Sequence, residues 1–478
     1  SEPIERNRSL MAKSFFTELD TALSLVVTCR DSSAVSNNRP LQPPIMIDLP
    51  LEDQHGSASD PIAFKLSEGV NPQNTIITFD VVPTYQYSSS QDLDNPIPQL
   101  KKKILGRAVA IMRNAYTSVG QNLRSLNNNI TVPIIESNTL DVLGSIRFEY
   151  LLITSFQHPK MSLNRSDTYW KQLVSTRVIG HRGLGKNVND KKSLQLGENT
   201  VELFIASASL GASYVEFDVQ LTKDQVPVVY HDFTVAESGV DIPMHALTAE
   251  QFLGLNDNSS VESLLGNTIK DTGNGIEPSK FKKNYSLDDE MLSKINRPRA
   301  MGSKPDFSKP RDTVFEDFQE VGNSRGDDFY REYKDHIHNR MKLTKTWKEK
   351  GFKGNARGLS IASNFVTLSE LFKKLPPSVG FNIELKYPML DEAEMESMGE
   401  VAYDMNFYVD TILKCVYDSN ITNRDLMFSS FHTDICLLLS MKQPTIPILF
   451  LTEAGTAPMA DIRASSLQAA IRFAKHWH

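Results

Sequence analysis

The sequence predicts two parts, an all-β sandwich followed by an α/β barrel of the TIM type. The chain has 478 residues, which is too long for one ordinary hydrophobic core. Its first part contains short apolar runs separated by loops rich in Ser, Pro, Asn and Asp, whereas its second part alternates strand-like runs with helical segments. We therefore place the sandwich in residues 1–165 and the barrel in residues 175–478.

The first part is predicted to consist of short β-strands. The stretch that begins at residue 146 alternates apolar and polar residues, as a strand with one buried face does. Several such strands with turn signals between them indicate a sandwich. Residues 101–112 fit a strand and a helix equally well. The expected strands are residues 23–29, 45–49, 62–66, 75–82, 131–135 and 146–153.

The second part contains six strand-like runs that are mostly separated by helical stretches, a pattern typical of a parallel sheet. The first helix is expected at residues 200–210, where Asn199 and Glu202 form a variant capping box and Gly211 ends the helix. A TIM barrel has eight strand–helix units, so we expect the last two to lie beyond the sequence given. The six runs are residues 177–180, 214–221, 226–230, 380–385, 426–429 and 446–451.

A long insertion interrupts the barrel pattern at about residues 236–362. Within it, residues 303–357 are dense in Lys, Arg, Asp, Glu and Gly. A connection of this length is usually a lid, an inserted subdomain or a disordered segment. The sequence leaves these three alternatives open.

Composition narrows the class of protein. The chain is 40% hydrophobic and 23% charged, and it has no apolar run long enough to cross a bilayer, which indicates a soluble globular protein. Its three cysteines are far apart and include no CxxC pair, so we expect no disulfide framework and a cytoplasmic location. The formal net charge of −7 argues against nucleic acid as the main partner. A small anionic substrate remains compatible with it.

Polar side chains gather where the first four barrel strands end. In a parallel barrel these ends meet at one rim, where active sites form. Residues two apart on a strand point to the same face. The polar residues are His181 and Arg182 after the first strand, Glu216 and Asp218 on the second, His231 and Asp232 after the third, and Glu384 and Lys386 on the fourth.

This set of side chains suits the cleavage of a phosphodiester. Three carboxylates form a hard oxygen site of the kind that binds magnesium or calcium. Arg182 and Lys386 can hold phosphate oxygens, and two histidines can act as acid and base near neutral pH. Each residue by itself has a structural interpretation, such as a plain ion pair between Glu384 and Lys386. Their joint occurrence at successive strands favours a catalytic site.

The motifs resemble those of the glycerophosphodiester phosphodiesterase family. Its signature is His-Arg, then Glu-x-Asp, then His-Asp, then a Glu-x-Lys strand, and the resemblance runs from about residue 177 to the end of the chain. Within that family the chain is most similar to the fungal cytosolic glycerophosphocholine phosphodiesterases. The part before the barrel is similar to a calcium/lipid-binding β-sandwich. The matching stretches are residues 179–183, 197–200, 215–219, 229–232 and 382–386.

The resemblance implies a role for each site residue. In the family's mechanism a glycerol hydroxyl attacks the phosphorus in line, and water then opens the resulting cyclic phosphate. The resemblance implies His181 and His231 as the acid–base pair, Arg182 as a catalytic and phosphate-binding residue, Lys386 as a phosphate contact, Glu198 as a supporting or ligating carboxylate at the substrate, and Glu216, Asp218 and Glu384 as ligands of the divalent metal.

Three functions follow from the resemblance. The first is hydrolysis of glycerophosphodiesters, above all glycerophosphocholine, to choline and glycerol 3-phosphate. The second is a catalytically silent barrel that regulates phosphate signalling, and the third is a phosphoinositide-type phosphodiesterase whose sandwich contacts membranes. The complete signature favours the first. Membrane contact through the sandwich is a minor expectation.

Overall fold

The fold is given by a computed structural model. It describes residues 23–32, 40–49, 62–66, 70–83, 104–112, 122–161, 176–188, 197–237, 239–255, 339–351, 364–419, 424–457 and 459–477. Within these ranges the strands form two large sheets, one before residue 150 and one after residue 178.

The first large sheet has six antiparallel strands in the order β2-β1-β3-β4-β6-β7. One face buries a core that includes Val27, Phe79, Ala108 and Ile134. Residues 62–66, expected as a strand, pair with none of the described strands, so that prediction is wrong. The ambiguous segment 101–112 contains β4. The strands of this part are β1 (Leu23–Asp31), β2 (Ile45–Asp48), β3 (Thr75–Pro83), β4 (Gly106–Ile111), β5 (Leu123–Ser125), β6 (Asn129–Glu136) and β7 (Val142–Glu149).

The second large sheet is a curled, mostly parallel sheet in the order β10-β9-β13-β15-β16, with β8 also paired to β9. Every residue of β9, β13 and β15 is buried, as expected for strands covered on both faces. Its strands are β8 (Ile179–His181), β9 (Tyr214–Leu221), β10 (Pro227–Val229), β13 (Gly380–Leu385), β15 (Leu426–Ser430) and β16 (Ile448–Phe450). Three short strands lie outside it: β11 (Thr234–Val235), β12 (Ile242–Pro243) and β14 (Val401–Tyr403).

Helices pack on the outer side of this sheet, and the predicted α/β-barrel class is confirmed. The core between them includes Phe217, Phe381, Ile412 and Leu439. A capping box of Thr367 and Glu370 begins the helix that follows the insertion. The α-helices are α1 (Val201–Ser209), α2 (Ala249–Gly254), α3 (Lys345–Lys350), α4 (Leu368–Lys374), α5 (Leu390–Met395), α6 (Met405–Asp418), α7 (Thr433–Lys442) and α8 (Leu467–His476).

The third barrel run differs from expectation, because β10 is antiparallel to β9. Only residues 222–226 connect the two strands, and a parallel crossover needs about a dozen residues or more. Gln225 has a φ of 67°, as a tight turn requires. One edge of β9 pairs with β13, so β8 and β10 divide the other edge between them. The chain thus reaches this edge from two opposite directions.

The two ends of the insertion lie side by side. The Val229 N–H donates to the Val366 carbonyl at 3.0 Å, and Val228 pairs with Thr367. The Tyr230 and Phe365 rings are 5.6 Å apart between centroids. The barrel therefore continues after the insertion at the point where it stopped.

Two segments of the first part contact the barrel. Strand β5 pairs with β14, and Arg124 forms an ion pair with Asp404 at 2.8 Å. Residues 151–161 then cross helices α6 and α7, where the Asn406 amide donates to the Leu152 carbonyl at 2.7 Å and the Lys442 ammonium donates to the Thr154 carbonyl at 2.7 Å. Between the described residues of both parts, the connection thus includes hydrogen bonds and an ion pair, and Leu151 and Ile153 pack against the barrel core. The boundaries at residues 165 and 175 stay a prediction.

No helix among the described ranges has the length and hydropathy that crossing a bilayer requires.

Candidate active site

Three buried carboxylates form the centre of the site. Glu216 and Asp218 lie on β9 and point to the same face, and Asp218 is directly opposite Glu384 on β13. Each of the three offers an oxygen within 4.8 Å of the others'. The exposed fractions of Glu216, Asp218 and Glu384 are 6%, 1% and 7%, so bulk water hardly screens their mutual repulsion.

This repulsion and the burial raise the pKa values of two of these three carboxyl groups. Burial first, and the neighbouring Asp218 charge second, raise the pKa of Glu216 to about 9. The same two causes raise the pKa of Glu384 to about 7. Within the described residues, Glu216 Oε1 and Asp218 Oδ1 are buried without a hydrogen-bond donor. The cluster therefore fits a divalent cation, which would relieve the repulsion and satisfy the free oxygens.

Arg182 contacts two of these carboxylates from the turn that follows β8. Its backbone N–H donates to Glu216 Oε2 at 2.9 Å, and its Nε lies 3.7 Å from Asp218 Oδ2. The turn is tight: a Cβ on Gly180 would lie 2.4 Å from the Gly183 carbonyl oxygen, and Gly183 has a φ of 97°. The glycines that flank His181 and Arg182 are thus required by the backbone.

Glu198 supports this turn. One of its oxygens lies 3.3 Å from Arg182 Nη1, and the other accepts from the Asn187 backbone N–H at 2.7 Å. The carboxylate therefore ties the segment after β8 to the segment before α1. The predicted roles of Glu198, as a supporting or ligating carboxylate and in binding substrate, stay predictions.

Asn199 belongs to the site and not to a helix cap, so the predicted capping box with Glu202 is wrong. The cap residue of α1 is Thr200, whose side chain makes no capping hydrogen bond. Asn199 has a φ of 59°, and its buried amide donates to Asp218 Oδ2 at 2.9 Å. The carboxylate of Asp218 competes for the side chain because it is charged and desolvated. Asn tolerates the left-handed backbone conformation better than most residues do. This tolerance was the signal in the sequence that Asn199 need not be a helix cap.

His181 is the last residue of β8 and lies opposite Glu216. Its Nε2 is 3.8 Å from Glu216 Oε2, and 60% of its side chain is exposed. Partial burial, followed by the nearby Arg182 charge, lowers the pKa of His181. The ring thus lies at the solvent-exposed side of the carboxylate cluster.

His231 approaches the cluster from the other direction, just after β10. Its Nδ1 is 2.8 Å from Asp232 Oδ1, and its Nε2 is 3.2 Å from the Lys386 ammonium. These neighbours assign the proton to Nδ1 and a lone pair to Nε2. Buried Gln220 fixes the segment, because its amide donates to the carbonyls of Tyr230 and Asp232 at 2.9 and 2.8 Å. Gln220 was not among the predicted residues.

Lys386 links His231 to the carboxylates. Its ammonium is 3.7 Å from Glu384 Oε1. The Tyr408 hydroxyl, which lies 2.9 Å from the Lys386 carbonyl and 2.8 Å from that of Val219, braces the ends of β9 and β13. Sequence reasoning missed Tyr408, since only the packing of α6 against the sheet reveals its partner.

Two further buried polar side chains lie on the same face of the sheet. Asn382 is opposite Glu216, and Ser429 is opposite Glu384. Asn382 Oδ1 and Ser429 Oγ have no hydrogen-bond partner within the described residues. Buried polar atoms without partners are costly, so they mark a surface on which a polar ligand fits. In the sequence, Asn382 and Ser429 could have been found as site residues because their strands pair them with the predicted site residues Glu216 and Glu384.

The structure thus brings all eight predicted site residues into one continuous set of contacts, although not in the way expected. The sequence interpretation had His181 and His231 at one rim of parallel strands. Instead β8 and β10 run toward each other along one edge of β9, so that His181 ends opposite Glu216 and His231 follows a residue bonded to the Asp218 carbonyl. The functional roles of the eight residues stay predictions.

Comparisons with known proteins agree with this geometry. Residues 181–478 match the model of the glycerophosphoryl diester phosphodiesterase family, and residues 1–157 match a GDE1-like C2 domain. The chain is similar to glycerophosphocholine phosphodiesterase GDE1 of Candida albicans, with 60% identity over all of this chain and 36% of that protein. It is 46% identical to the Eremothecium gossypii protein of the same name, over 99% of this chain and 37% of that protein.

The chain therefore spans about a third of the length of these curated relatives. Among solved structures, a glycerophosphodiester phosphodiesterase from Thermotoga maritima shares 16% identity with a TM-score of 0.28, over 63% of this chain and 70% of that one. The family model covers more than half of the chain and every predicted site residue, and with it the sequence resemblance is confirmed. The chain belongs to the glycerophosphoryl diester phosphodiesterase family.

Proposed function

We propose that this protein hydrolyses glycerophosphodiesters in a metal-dependent reaction, with glycerophosphocholine as substrate and choline and glycerol 3-phosphate as products. The observation that carries the proposal is the buried cluster of Glu216, Asp218 and Glu384 with a histidine on either side. The names of the fungal relatives support the choice of substrate.

Glu216, Asp218 and Glu384 would hold a divalent cation, magnesium or calcium. Arg182 and Lys386 each approach a carboxylate at 3.7 Å, so two cationic side chains face three carboxylates. An additional positive charge fits this balance. When bound, the cation neutralises negative charge that develops on the phosphate oxygens.

The protein's own side chains perform the proton transfers. Arg182 and Lys386 bind phosphate oxygens and orient the diester for in-line attack by the neighbouring glycerol hydroxyl. One of His181 and His231 takes the proton of that hydroxyl while the phosphorus–oxygen bond to the alcohol breaks, and the other protonates the departing oxygen. Water then opens the cyclic phosphate with the two roles reversed. Asp232 holds His231 so that Nε2 faces the reacting atoms.

The regulatory alternative needs a barrel that has lost its catalytic side chains. Here both histidines, all three carboxylates and both cationic residues are present and in contact, which favours an enzyme. We place the enzyme in the cytoplasm, and we assign the C2-type part a membrane contact as a secondary proposal.

Choline release from glycerophosphocholine tests the proposal. We expect release with magnesium or with calcium, none with chelator, and none from the His181→Ala variant under either metal. Release of choline from glycerophosphocholine, with no inositol phosphate released from a phosphoinositide, would set aside the phosphoinositide alternative. A folded protein that releases no choline with any metal would contradict the proposal.

The metal ligands are tested separately by titration calorimetry. Glu216→Gln and Asp218→Asn should each weaken metal binding by at least about tenfold, since each removes a charged ligand. Glu394→Gln, on an exposed part of α5, is the matched control and should bind as the unaltered protein does. Unchanged affinity in both site variants would remove these residues from the ligand set.

A further inference from the structure

The insertion contributes one helix to the edge of the active site. Helix α3 lies between the segment after β11 and helix α5: the Lys345 backbone N–H donates to Asp241 Oδ2 at 3.0 Å, and the Lys345 ammonium pairs with Glu396 at 3.3 Å. Thr344 and Thr346 are buried, so the helix is packed against its surroundings. Gly351, in the left-handed conformation with a φ of 72°, ends it.

The last residue of this helix reaches the catalytic histidine through one carboxylate. Lys350 Nζ is 3.4 Å from both oxygens of Asp232. Asp232 Oδ1 is in turn 2.8 Å from His231 Nδ1. A chain of polar contacts therefore runs from the insertion to the ring that faces the carboxylate cluster.

We propose that Lys350 is a positioning residue that fixes the orientation of His231 through Asp232, so that this contact from helix α3 supports the rate of the chemical step. The proposal rests on the proposed function, because it assigns a residue of the insertion to the same reaction. It also gives the insertion a specific role in catalysis. The barrel supplies His231 and Asp232, and the insertion supplies the cation that holds Asp232 in place.

Geometry explains why one carboxylate can be shared in this way. Asp232 follows His231 directly, and the Gln220 amide holds its backbone carbonyl at 2.8 Å. Lys350 Nζ, at 3.4 Å from both carboxylate oxygens, adds a charged contact that favours one orientation of the side chain. The imidazole then keeps the tautomer with its lone pair toward the substrate.

The expected effect is modest and confined to turnover. Because 44% of the Lys350 side chain is exposed, Lys350→Met should lower kcat about two- to fivefold and leave KM unchanged. Lys350→Arg should restore kcat. Lys348→Met, an exposed lysine on the same helix, is the matched control and should behave like the unaltered enzyme.

A double-mutant cycle in the full chain decides whether Lys350 acts through Asp232. In the Asp232→Asn background, Lys350→Met should cause no further loss of kcat, because the contact that transmits its effect is already gone. The same fractional loss in both backgrounds, a rise in KM with kcat unchanged, or full activity of Lys350→Met would overturn the proposal while leaving the hydrolase function intact.

The imidazole nitrogen resonances of His231 provide a readout that needs no turnover. They can be assigned with the His231→Ala variant. Lys350→Met should shift them and Lys348→Met should not. If the unaltered protein hydrolyses nothing, the proposed function fails, and these resonances still decide whether the contact from Lys350 to His231 exists: unshifted resonances would overturn it.

Discussion

At the scale of single residues, each ring nitrogen of His231 has its own charged neighbour. Asp232 lies at Nδ1 and Lys386 at Nε2, so the ring cannot turn over without losing both contacts. In the proposed mechanism such a ring is oriented for proton transfer before substrate arrives, so that little reorganisation is needed during the reaction.

Replacing this ring should abolish catalysis without disturbing the metal site. For His231→Ala we expect a fall in kcat of at least about 100-fold, because a general acid or base contributes that much or more. Metal affinity and the circular dichroism spectrum should match the unaltered protein. His476→Ala, on the exposed side of α8, serves as the control. Turnover near the unaltered level would remove His231 from the mechanism.

The raised carboxyl pKa values predict a pH-dependent stability of the metal-free protein. The pKa of Glu384 is about 7 in the folded state against about 4.5 when unfolded. Its contribution to the free energy of unfolding is therefore fully present below pH 4.5 and is lost as the pH rises through 7. In chelator, Glu384→Gln should therefore gain in thermal midpoint relative to the unaltered protein between pH 5 and pH 8.

Added metal should reverse this order at pH 8, because binding needs the ionised carboxylate that Gln lacks. The measurement is a thermal melt of both proteins at each pH, with chelator and with metal. A midpoint difference that stays constant from pH 5 to pH 8 would show that Glu384 does not titrate in this window.

At the scale of elements, the hairpin of β9 and β10 determines where His231 lies. The Tyr230 N–H donates to the Asp218 carbonyl at 3.0 Å, so the antiparallel pairing continues up to the residue before His231. A one-residue shift of β10 would turn its side chains to the other face of the sheet. Register in this hairpin is thus part of the catalytic geometry.

Gln220 holds this register, and we expect replacement of its side chain to lower both the stability of the protein and the rate of the reaction. Gln220→Leu removes two donors from buried carbonyls, so we expect the free energy of unfolding to fall by about 1–3 kcal/mol and kcat to fall with it. Urea denaturation and steady-state kinetics measure the two effects. Metal affinity should be unchanged, and its loss would mean that Gln220 supports the carboxylates instead.

The sequence predicted which segments form strands better than it predicted which way they run. Alternation and apolar runs are local, and they located β9, β13 and β15 to within a residue or so. The direction of β10 was encoded in the short connection at residues 222–226, which the parallel interpretation overlooked. Motif spacing identified Glu216 and Glu384, whereas Tyr408 and Gln220 depend on contacts that close only after the chain has folded.

At the scale of the whole molecule, the segment of residues 151–161 joins the two parts at one buried lysine. The side chain of Lys442 is fully buried and contacts the Thr154 carbonyl at 2.7 Å and Asp410 at 2.8 Å. Leu151 and Ile153 pack against the barrel core beside it. The connection therefore combines apolar contact with an ion pair whose lysine side chain is fully buried.

Lys442→Met should weaken this connection. Loss of the ammonium leaves the Thr154 carbonyl and the Asp410 carboxylate without their donor, and we expect the free energy of unfolding to fall by about 1–3 kcal/mol in urea denaturation. Lys414→Met removes an exposed ion pair with Asp418 on the neighbouring helix α6 and should change it by less than about 0.5 kcal/mol. Equal effects of the two variants would argue against a buried contribution.

The side-by-side ends of the insertion have a consequence for how such proteins change over evolutionary time. The Val229 N–H donates to the Val366 carbonyl, so a hydrogen bond of the barrel joins the two ends of the insertion whatever lies between them. Insertions and deletions in that interval therefore leave this hydrogen bond of the barrel in place. The entropic cost of closing a longer loop also grows only slowly with its length. The interval thus tolerates new sequence at little cost in stability, and the contact of Lys350 with Asp232 shows that residues within it can reach the candidate site.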